Sequence, residues 1–332
     1  EVPGAHVELE TEPAPSARCL NGSESWGACS GGEFLCEPRA PQAPTLLHTV
    51  FSVQPSRYFE WQSRFLAYHF NKSAQAGPLT RLLSGARADH LVTELRTWVA
   101  PPYRHLQYDP YVPYNKPAAI AHWLRYSGAR PEYVVVVDPD CIFLRPLVSP
   151  APGGNGVLVH LGSGRDVLVT KGNPFAQKGY MDWVPGGPFE SLTKHFCPGC
   201  GRADALAVPL VIHREDLEAI APLWLSTTER IRAEKASWAP EWSKPSFALS
   251  WTAEMYGYIF AAAQLGIKHS VSDRAQEIVG FNKRVKAPVL HYSLKLQMGK
   301  GPDGREVQWH KYFENAGTVI PEAPAGQTEV VA

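Results

Sequence analysis

The chain has no excess of either charge. Its 332 residues contain 32 Lys and Arg against 32 Asp and Glu, so the formal net charge is 0. A nucleic-acid-binding protein normally shows a basic balance or a basic stripe, and no cluster of Lys and Arg here is longer than a few residues. Nucleic-acid binding is therefore not expected.

Apolar stretches long enough for a bilayer are missing as well. A membrane-spanning helix needs roughly 18 to 20 consecutive apolar residues, and no stretch of the chain approaches that length. The sequence also opens without a charged and then apolar leader. We expect a soluble protein that either never had an anchor or has had one removed.

Cysteine is scarce, and the six present fall into two groups. They are Cys19, Cys29 and Cys36 in a Pro-, Ser- and Gly-rich arm, and Cys141, Cys197 and Cys200 in the body. If all six are oxidised, three arm cysteines cannot all pair among themselves, so at least one disulfide must join arm and body. Together with the sequons at Asn21 and Asn71, this favours the secretory pathway.

The CPGC stretch at residues 197–200 has three interpretations. A redox pair should begin a helix after a strand in a thioredoxin-like unit, and a zinc site needs about two more ligands nearby. His195 is adjacent, but no second CxxC or HxxxH follows. A structural disulfide is the favoured interpretation, with zinc and redox chemistry as alternatives.

Strand and helix patterns alternate through the body. Strand patterns occupy 46–53, 79–85, 133–137, 167–171 and 206–213, and helix patterns occupy 57–70, 115–128, 214–234 with an interruption at Pro222, and 250–266. This alternation predicts an α/β fold. Because the run YVVVV is continuously apolar, it is typical of a parallel strand covered on both faces.

Domain organisation follows from composition. Residues 1–44 are rich in Pro, Ser, Gly and Glu without helical or alternating periodicity, which predicts an arm held by disulfides. No internal repeat and no clear linker interrupts the rest. We therefore predict one domain over residues 45–332.

Two aspartates follow the YVVVV strand directly. Asp138 and Asp140 flank Pro139, and ligands of open α/β sheets bind beyond the carboxyl ends of the strands. Mg²⁺ or Mn²⁺ would relieve the repulsion between two such carboxylates and complete its shell with phosphate oxygens. The pattern predicts a cation site for a nucleoside diphosphate, and a surface turn that ends a strand is the alternative.

Several motifs in a fixed order carry a family resemblance over about residues 46 to 315. They are HTVFSV, Glu60-Trp61-Gln62, LTRLLSG, YNKPAAIAHWL, DPDCIFLRPL, EDLEAIAPLW, AEMYGY and LHY. In this order they resemble the plant and green-algal peptidyl hydroxyproline O-arabinosyltransferases and the related peptidyl serine α-galactosyltransferases.

The resemblance implies a GT-A type glycosyltransferase fold, in which a Rossmann-like, mixed and mostly parallel sheet is flanked by helices. It also implies a UDP-sugar donor, a divalent cation (Mn²⁺ or Mg²⁺) and a location in the lumen of the secretory pathway, in the Golgi or the ER. The acceptor would be a hydroxyproline-rich or serine-rich, extensin-like protein. Such an acceptor adopts the polyproline II conformation, which fits an aromatic-lined groove.

Within such a fold, Asp138 and Asp140 would hold the cation that neutralises the departing diphosphate. The resemblance implies His291 as a third metal ligand, and a core histidine is the alternative. Lys295 and Lys300, in the stretch KLQMGKG, would clamp the diphosphate when that loop closes. A solvated tail is the alternative for both lysines.

The donor would meet the first strand and the following helix as well. His48 and Thr49, placed at the end of the first strand, would hold uridine and phosphate with Arg81. Asn115 and Lys116, before a helix N-terminus, would also reach the donor. Arg81 could instead pair with a carboxylate, and Asn115 could act only as a helix cap.

Glu254 is the candidate for chemistry besides Asp140. It lies among apolar residues of a helix, where an unpaired carboxylate is costly, so it needs a partner or a role. The resemblance implies transfer with retention, by front-face attack or through a carboxylate nucleophile such as Glu254. A carboxylate paired with Arg or Lys inside the helix layer is the alternative.

Aromatic residues supply candidates for the acceptor groove. They are Tyr180, Trp183, Trp242, Trp251, Tyr256 and Tyr258. Most aromatic residues of such a chain belong to the core, so only some of these six are expected to line a groove.

The sugar follows from finer resemblances. YVVVVDPDCIFLRPL and the short segment between Phe196 and Pro209 favour arabinosyl transfer, whereas NKPAAIAHWL and APLWLSTTE are more similar to the serine galactosyltransferases. We predict transfer of L-arabinofuranose from UDP-β-L-arabinofuranose to peptidyl hydroxyproline, with UDP-galactose and serine as the alternative. A non-catalytic peptide- or glycan-binding module and a CPGC oxidoreductase are remoter alternatives. The Cys-rich arm and Cys141 depart from both family patterns.

Overall fold

The computed structural model describes residues 39–103, 109–179, 189–200, 203–234, 247–278 and 286–293. Four short strands outside these ranges are described by their backbone, as are residues 189–191 and 247–251 within them. All structural statements below concern these residues.

The strands are β1 Cys19–Leu20, β2 Leu35–Cys36, β3 Thr45–Val53, β4 Leu79–Ser84, β5 Thr97–Ala100, β6 Pro131–Val137, β7 Cys141–Phe143, β8 Val148–Pro150, β9 Val157–Val159, β10 Val167–Val169, β11 Phe175–Lys178, β12 Leu206–His213, β13 Ser270–Ser272, β14 Gln276–Ile278, β15 Val289–His291, β16 Leu296–Lys300 and β17 Glu306–Trp309. The helices are α1 Arg57–Lys72, α2 Asn115–Tyr126, α3 Phe189–Phe196, α4 Arg214–Ala233 and α5 Phe247–Gln264, with 3₁₀ turns at His90–Thr93 and Val112–Tyr114.

A seven-stranded sheet forms the centre, in the order β13-β11-β12-β6-β3-β4-β5. Strand β3 runs parallel to β4 and β6, and β4 runs parallel to β5, so these four strands end at the same edge. Strand β12 is antiparallel to both of its neighbours. The predicted α/β class with a mixed, mostly parallel sheet is confirmed.

The valines of β6 show why the sheet is buried on both faces. Val134 and Val136 belong to one core cluster, which also contains Trp224. Val135 and Val137 point to the opposite face and belong to a second cluster. Because side chains alternate along a strand, a run of four valines is needed to fill both clusters, as the sequence predicts.

Local signals explain where the helices begin and end. Helix α1 starts after Ser56, whose hydroxyl accepts a hydrogen bond from the Phe59 amide, the usual role of an N-cap serine. Helix α2 ends before Gly128, which has φ +71° and lies so close to Ala40 that a Cβ atom would clash. The prediction that α4 is interrupted at Pro222 is wrong. The helix continues through this proline, although its ring removes one backbone hydrogen bond.

The arm contributes backbone contacts near the body. Strands β1 and β2 pair antiparallel with Cys19 opposite Cys36. Further along, the Arg39 amide donates to the Tyr126 carbonyl and the Gln42 amide donates to the Gly128 carbonyl, at the end of α2. The predicted boundary between residues 1–44 and 45–332 stays a prediction.

Within the described residues, no helix combines the length and the apolar character needed to cross a membrane.

The body cysteines are arranged differently from the arm-to-body pairing that full oxidation would require. Cys197 and Cys200 form a disulfide after α3, in agreement with the favoured interpretation of CPGC. Cys141 is a buried free thiol. Because Cys141 is a free thiol, the condition that all six cysteines are oxidised is not met, and the parity argument for an arm-to-body disulfide does not apply.

Candidate active site

The aspartate turn lies at the carboxyl edge of the central sheet. Strand β6 ends at Val137, Asp138 follows directly, and β7 begins at Cys141. The side chain of Asp138 is 24% exposed and that of Asp140 is 8% exposed. The buried strand therefore delivers one half-exposed and one buried carboxylate to the edge where α/β sheets bind ligands.

His291 reaches this turn through a small second sheet. Strand β15 pairs antiparallel with β7, so that His291 lies opposite Cys141. The Nε2 atom of His291 is 3.0 Å from Oδ1 of Asp140. The structure thus brings together two of the three predicted metal ligands, which lie about 150 positions apart in the chain.

Two residues that sequence reasoning missed hold this arrangement. The Gln276 side-chain amide lies 3.2 Å from Nδ1 of His291 and 3.5 Å from the Cys141 thiol. The Tyr292 amide donates to the Asp140 carbonyl, and its hydroxyl lies 3.5 Å from the Pro139 carbonyl. Tyr292 lies within the LHY motif, which is the signal that could have found it, whereas Gln276 carries no signal in the sequence because its contacts depend on strand pairing.

Asp138 takes part in a different cluster. The Lys116 ammonium, from the first turn of α2, is 2.8 Å from Oδ1 of Asp138 and 3.3 Å from Oε2 of Glu254. Burial lowers the pKa of Lys116, but the charges of Asp138 and Glu254 outweigh it, so that its pKa is raised overall. Lys116 therefore carries its positive charge at neutral pH.

Glu254 is buried on α5 and is held from several sides. Its backbone amide donates to the Tyr111 hydroxyl, and its carbonyl accepts from the Trp224 indole. Burial raises the pKa of the Glu254 carboxyl, the Lys116 charge opposes this rise, and the net shift is upward. The alternative considered from the sequence, a carboxylate paired with a lysine, is what the structure contains. The lysine comes from α2 rather than from the same helix.

The donor set at the turn suits a hard divalent cation. Carboxylate oxygens and an imidazole nitrogen are ligands of Mn²⁺, and carboxylates are ligands of Mg²⁺. Among the described residues, Asp140, Cys141 and His291 offer ligand atoms that all lie within 4.8 Å of one another. Asp138 is not a member of this group, and its carboxylate contacts Lys116 instead. Asp140 and His291 fit a cation as they stand, and Asp138 fits it after it leaves Lys116.

His48 and Thr49 do not lie where the sequence predicts. They occupy the middle of β3 rather than its carboxyl end, which is at Val53, so the predicted position is wrong. His48 is 2% exposed and bonds through Nε2 to the Thr80 hydroxyl. Burial and the charge of Arg96 lower the pKa of His48 to about 3. Thr49 is also fully buried, so neither side chain presents a surface to a donor.

Arg81 and Asn115 also have protein partners. The Arg81 guanidinium binds both carboxylate oxygens of Asp89 and donates to the Thr97 hydroxyl. Asn115 is the first residue of α2, not its cap, and its side-chain oxygen accepts from the Tyr103 amide. For both residues the alternative to donor binding, a structural partner, is present, and the predicted donor contacts stay predictions.

The remaining candidates divide between the core and undescribed segments. Tyr256 and Tyr258 are 1% and 3% exposed and belong to the core, so they do not line a groove. The other calls lie outside the described residues or on side chains that are not described: Lys295, Lys300, Tyr180, Trp183, Trp242 and Trp251.

The fold and the site define an α/β protein with an acidic turn at the end of its central strand. The model of the "Hydroxyproline O-arabinosyltransferase family N-terminal domain" matches residues 47–159 and 197–271, more than half of the chain. The chain belongs to this family.

Curated relatives come from both branches of the resemblance. A peptidyl serine alpha-galactosyltransferase of Arabidopsis thaliana is 34% identical over 80% of this chain and 32% of its own length. One of Chlamydomonas reinhardtii is 29% identical over 81% of this chain and 37% of its own length. Hydroxyproline O-arabinosyltransferase 3 of Arabidopsis thaliana is 26% identical over 70% of this chain and 60% of its own length. The chain therefore spans about a third of the serine galactosyltransferases that it matches.

Solved structures with a similar shape include glycosyltransferases at low identity. The WbbM bifunctional glycosyltransferase matches with a TM-score of 0.42 and 12% identity, over 80% of this chain and 48% of that chain. The galactosyltransferase LgtC matches with a TM-score of 0.39 and 11% identity, over 83% of this chain and 98% of that chain.

Proposed function

We propose that the protein is a glycosyltransferase that moves a sugar from a UDP-sugar to hydroxyproline or serine of a proline-rich protein. The observation that carries the proposal is the acidic turn at the carboxyl end of β6, where His291 lies 3.0 Å from Asp140 and Lys116 lies 2.8 Å from Asp138. Family membership supports the same reaction class.

In this reaction the anomeric carbon exchanges its bond to a β-phosphate oxygen for a bond to the acceptor hydroxyl oxygen. UDP departs with the electron pair of the broken bond, and the acceptor hydroxyl proton passes to the departing β-phosphate oxygen. Asp138, Asp140 and His291 would hold Mn²⁺ or Mg²⁺, which supplies positive charge against the departing diphosphate.

The other residues at this edge would bind and orient. Lys116 and Asn115 at the start of α2, with Lys295 and Lys300 later in the chain, would contact the donor. Glu254 would serve a retaining transfer, as a nucleophile or by orienting the donor sugar. Because Glu254 is buried beside Lys116, a nucleophilic role requires that the bound sugar reach this depth. Glu254→Gln, with donor binding measured separately, tests the role: unchanged transfer would remove Glu254 from the chemistry.

The sugar has two candidates. Motifs around the aspartate turn favour L-arabinofuranose on hydroxyproline. The higher identity to the serine galactosyltransferases, 34% against 26% for the arabinosyltransferase above, favours galactose on serine. The disulfide in the body and the sequons at Asn21 and Asn71 support a place in the Golgi lumen for either reaction.

A donor panel tests the proposal. UDP-β-L-arabinofuranose and UDP-galactose would each be offered with a hydroxyproline-rich and a serine-hydroxyproline peptide, with Mn²⁺, and products read by mass shift. A pentose or a hexose shift identifies the donor, and the modified residue identifies the acceptor. Turnover with neither sugar would defeat both candidates.

Asp140→Asn is the matched control for chemistry at the turn. This variant keeps the shape of the side chain but removes its charge, so Mn²⁺-dependent turnover should fall at least about a hundredfold, in line with the loss of one strong electrostatic group. Circular dichroism should report an unchanged fold. Peptide binding without turnover in the wild-type protein would instead support a binding module.

A further inference from the structure

The Lys116 ammonium is shared by two carboxylates that come from different elements. Its Nζ atom contacts Asp138, directly after β6, and Glu254, on α5. The Lys116 side chain is 17% exposed, and the side chains of Asp138 and Glu254 are 24% and 7% exposed. Little water therefore screens these charges, and the ammonium is the counter-charge for both carboxylates.

The second carboxylate of the turn has a different partner. Asp140 contacts His291, and among the described residues Asp140, Cys141 and His291 form the group whose ligand atoms lie within 4.8 Å. Asp138 stays outside that group because its carboxylate is directed to Lys116. The two aspartates of one short turn are thus held by two different side chains.

A divalent cation and Lys116 would compete for the same carboxylate. A cation that uses both aspartates would draw on the same Asp138 carboxylate whose Oδ1 atom Lys116 now contacts. Even after the carboxylate turns, a fixed positive charge close to the ion opposes its binding. The Coulomb repulsion between a divalent ion and an ammonium a few ångströms away corresponds to about a tenfold change in affinity or more.

We propose that Lys116 is an internal counter-cation, a positioning residue that holds Asp138 toward Glu254 until a divalent cation displaces it. Lys116 thereby keeps the cation affinity low in the absence of donor. When the cation takes Asp138, Glu254 remains as the partner of the lysine. This inference rests on the proposed function, because it takes the aspartate turn as the cation site.

The test is a Mn²⁺ titration of the full chain without donor, in which free Mn²⁺ is followed by electron paramagnetic resonance. Lys116→Met should bind Mn²⁺ about tenfold more tightly than the wild-type protein, whereas Lys116→Arg should stay near the wild type. Glu254→Gln should weaken binding, because it removes a negative charge and leaves Lys116 to Asp138 alone. Lys171→Met, at an exposed lysine paired with Glu215, is the matched control and should not change the affinity.

A passive anchoring role for Lys116 predicts the opposite result. If the lysine only supports the turn, Lys116→Met binds Mn²⁺ equally well or less well, and the inference is overturned while the proposed function stands. If the wild-type protein binds no divalent cation, both the inference and the cation part of the proposed function fail. Asp140→Asn, which should lose binding, separates the turn from other Mn²⁺ sites.

Folding of the variant is checked in the same series. Without Mn²⁺, Lys116→Met leaves the partly exposed Asp138 and the buried Glu254 without their counter-charge, so its melting temperature should fall. Saturating Mn²⁺ should then raise that temperature by more than it does in the wild-type protein. If Lys116→Met does not fold, Lys116→Gln replaces it with the same expected tightening. An equal Mn²⁺ effect on wild type and variant would overturn the inference.

Discussion

The Arg81 side chain is 1% exposed, and its guanidinium donates hydrogen bonds to both carboxylate oxygens of Asp89, whose side chain is 15% exposed. Arg81→Met should lower the free energy of unfolding by about 3 kcal/mol, because it leaves a largely buried carboxylate without its partner. Chemical denaturation measures this loss. Arg64→Met, at the exposed pair with Glu94, should have a much smaller effect. If Arg81→Met instead abolishes UDP binding with its stability unchanged, the predicted donor contact is supported.

His48 gives a pH dependence with a defined sign. Its pKa is about 3 in the folded chain against 6.5 for the free side chain, so the unfolded chain binds more protons between these values. Stability from neutral His48 is therefore present above about pH 6.5 and is lost as the pH falls toward 3.

The matched variant is His48→Gln, since a glutamine can keep a hydrogen bond to Thr80. Its stability should fall less steeply with acid than that of the wild type, by up to about 1.4 kcal/mol per pH unit below pH 6.5. Urea denaturation at pH 7.5, 6 and 5 measures the slopes. His90→Gln, at an exposed histidine, controls for the loss of an imidazole, and parallel slopes for His48→Gln and wild type would contradict the prediction.

Single residues also show how far sequence reasoning reaches. Asp138, Asp140, His291, Lys116 and Glu254 were all chosen from the sequence, and the structure brings them to one edge of the sheet. Their pairing could not be predicted, because it depends on which carboxylates Lys116 and His291 contact once α2, α5 and β15 have packed together. His48 and Thr49 were misplaced because a strand pattern marks an apolar run but does not fix the residue at which the strand passes the sheet edge.

At the scale of elements, α4 and α5 lie in close contact at Gly257. A Cβ atom at this position would lie 2.0 Å from the Thr228 hydroxyl and 2.9 Å from the Trp224 carbonyl. Gly257→Ala should therefore cost about 2 kcal/mol of stability, although alanine normally favours a helix. Urea denaturation measures the change.

The double variant Gly257→Ala with Thr228→Ala removes the nearest clashing atom. Its loss of stability should be smaller than the sum of the two single losses by about 1 kcal/mol, as expected for residues in contact. Additive losses would show that the helices separate instead of clashing. Because α5 carries Glu254, a separation of the helices would also alter its contact with Lys116.

Helices and strands could be predicted where the apolar residues follow a single clear pattern along the sequence. The apolar run of β6 and the amphipathic pattern of α1 predicted their elements within a few residues. The interruption predicted at Pro222 is wrong although a proline usually ends a helix, because the burial of Ile220, Ala221 and Trp224 stabilises α4 on both sides of it. The short strands β7 and β15 could not be predicted, since three residues are too few to show an alternation of apolar and polar side chains.

For the whole molecule, the two core clusters share the strands between them. Strands β3, β6 and β12 send alternate side chains into each cluster, so neither face can lose its packing without uncovering the other. We expect the described core to unfold in one cooperative transition despite the length of the chain. Far-UV circular dichroism and near-UV circular dichroism should give coincident urea curves, and separate midpoints would contradict this.

Tyr292 connects the aspartate turn to the indole of Trp61 on α1. Its amide and hydroxyl face the Asp140 and Pro139 carbonyls, and its ring centroid is 5.8 Å from that of Trp61. A shift of the aspartate turn would therefore change the surroundings of the Trp61 indole and with them its fluorescence emission. The protein carries an optical reporter of its own turn, and the difference between wild-type and Trp61→Phe emission spectra isolates its signal from the other nine tryptophans of the ten in the chain.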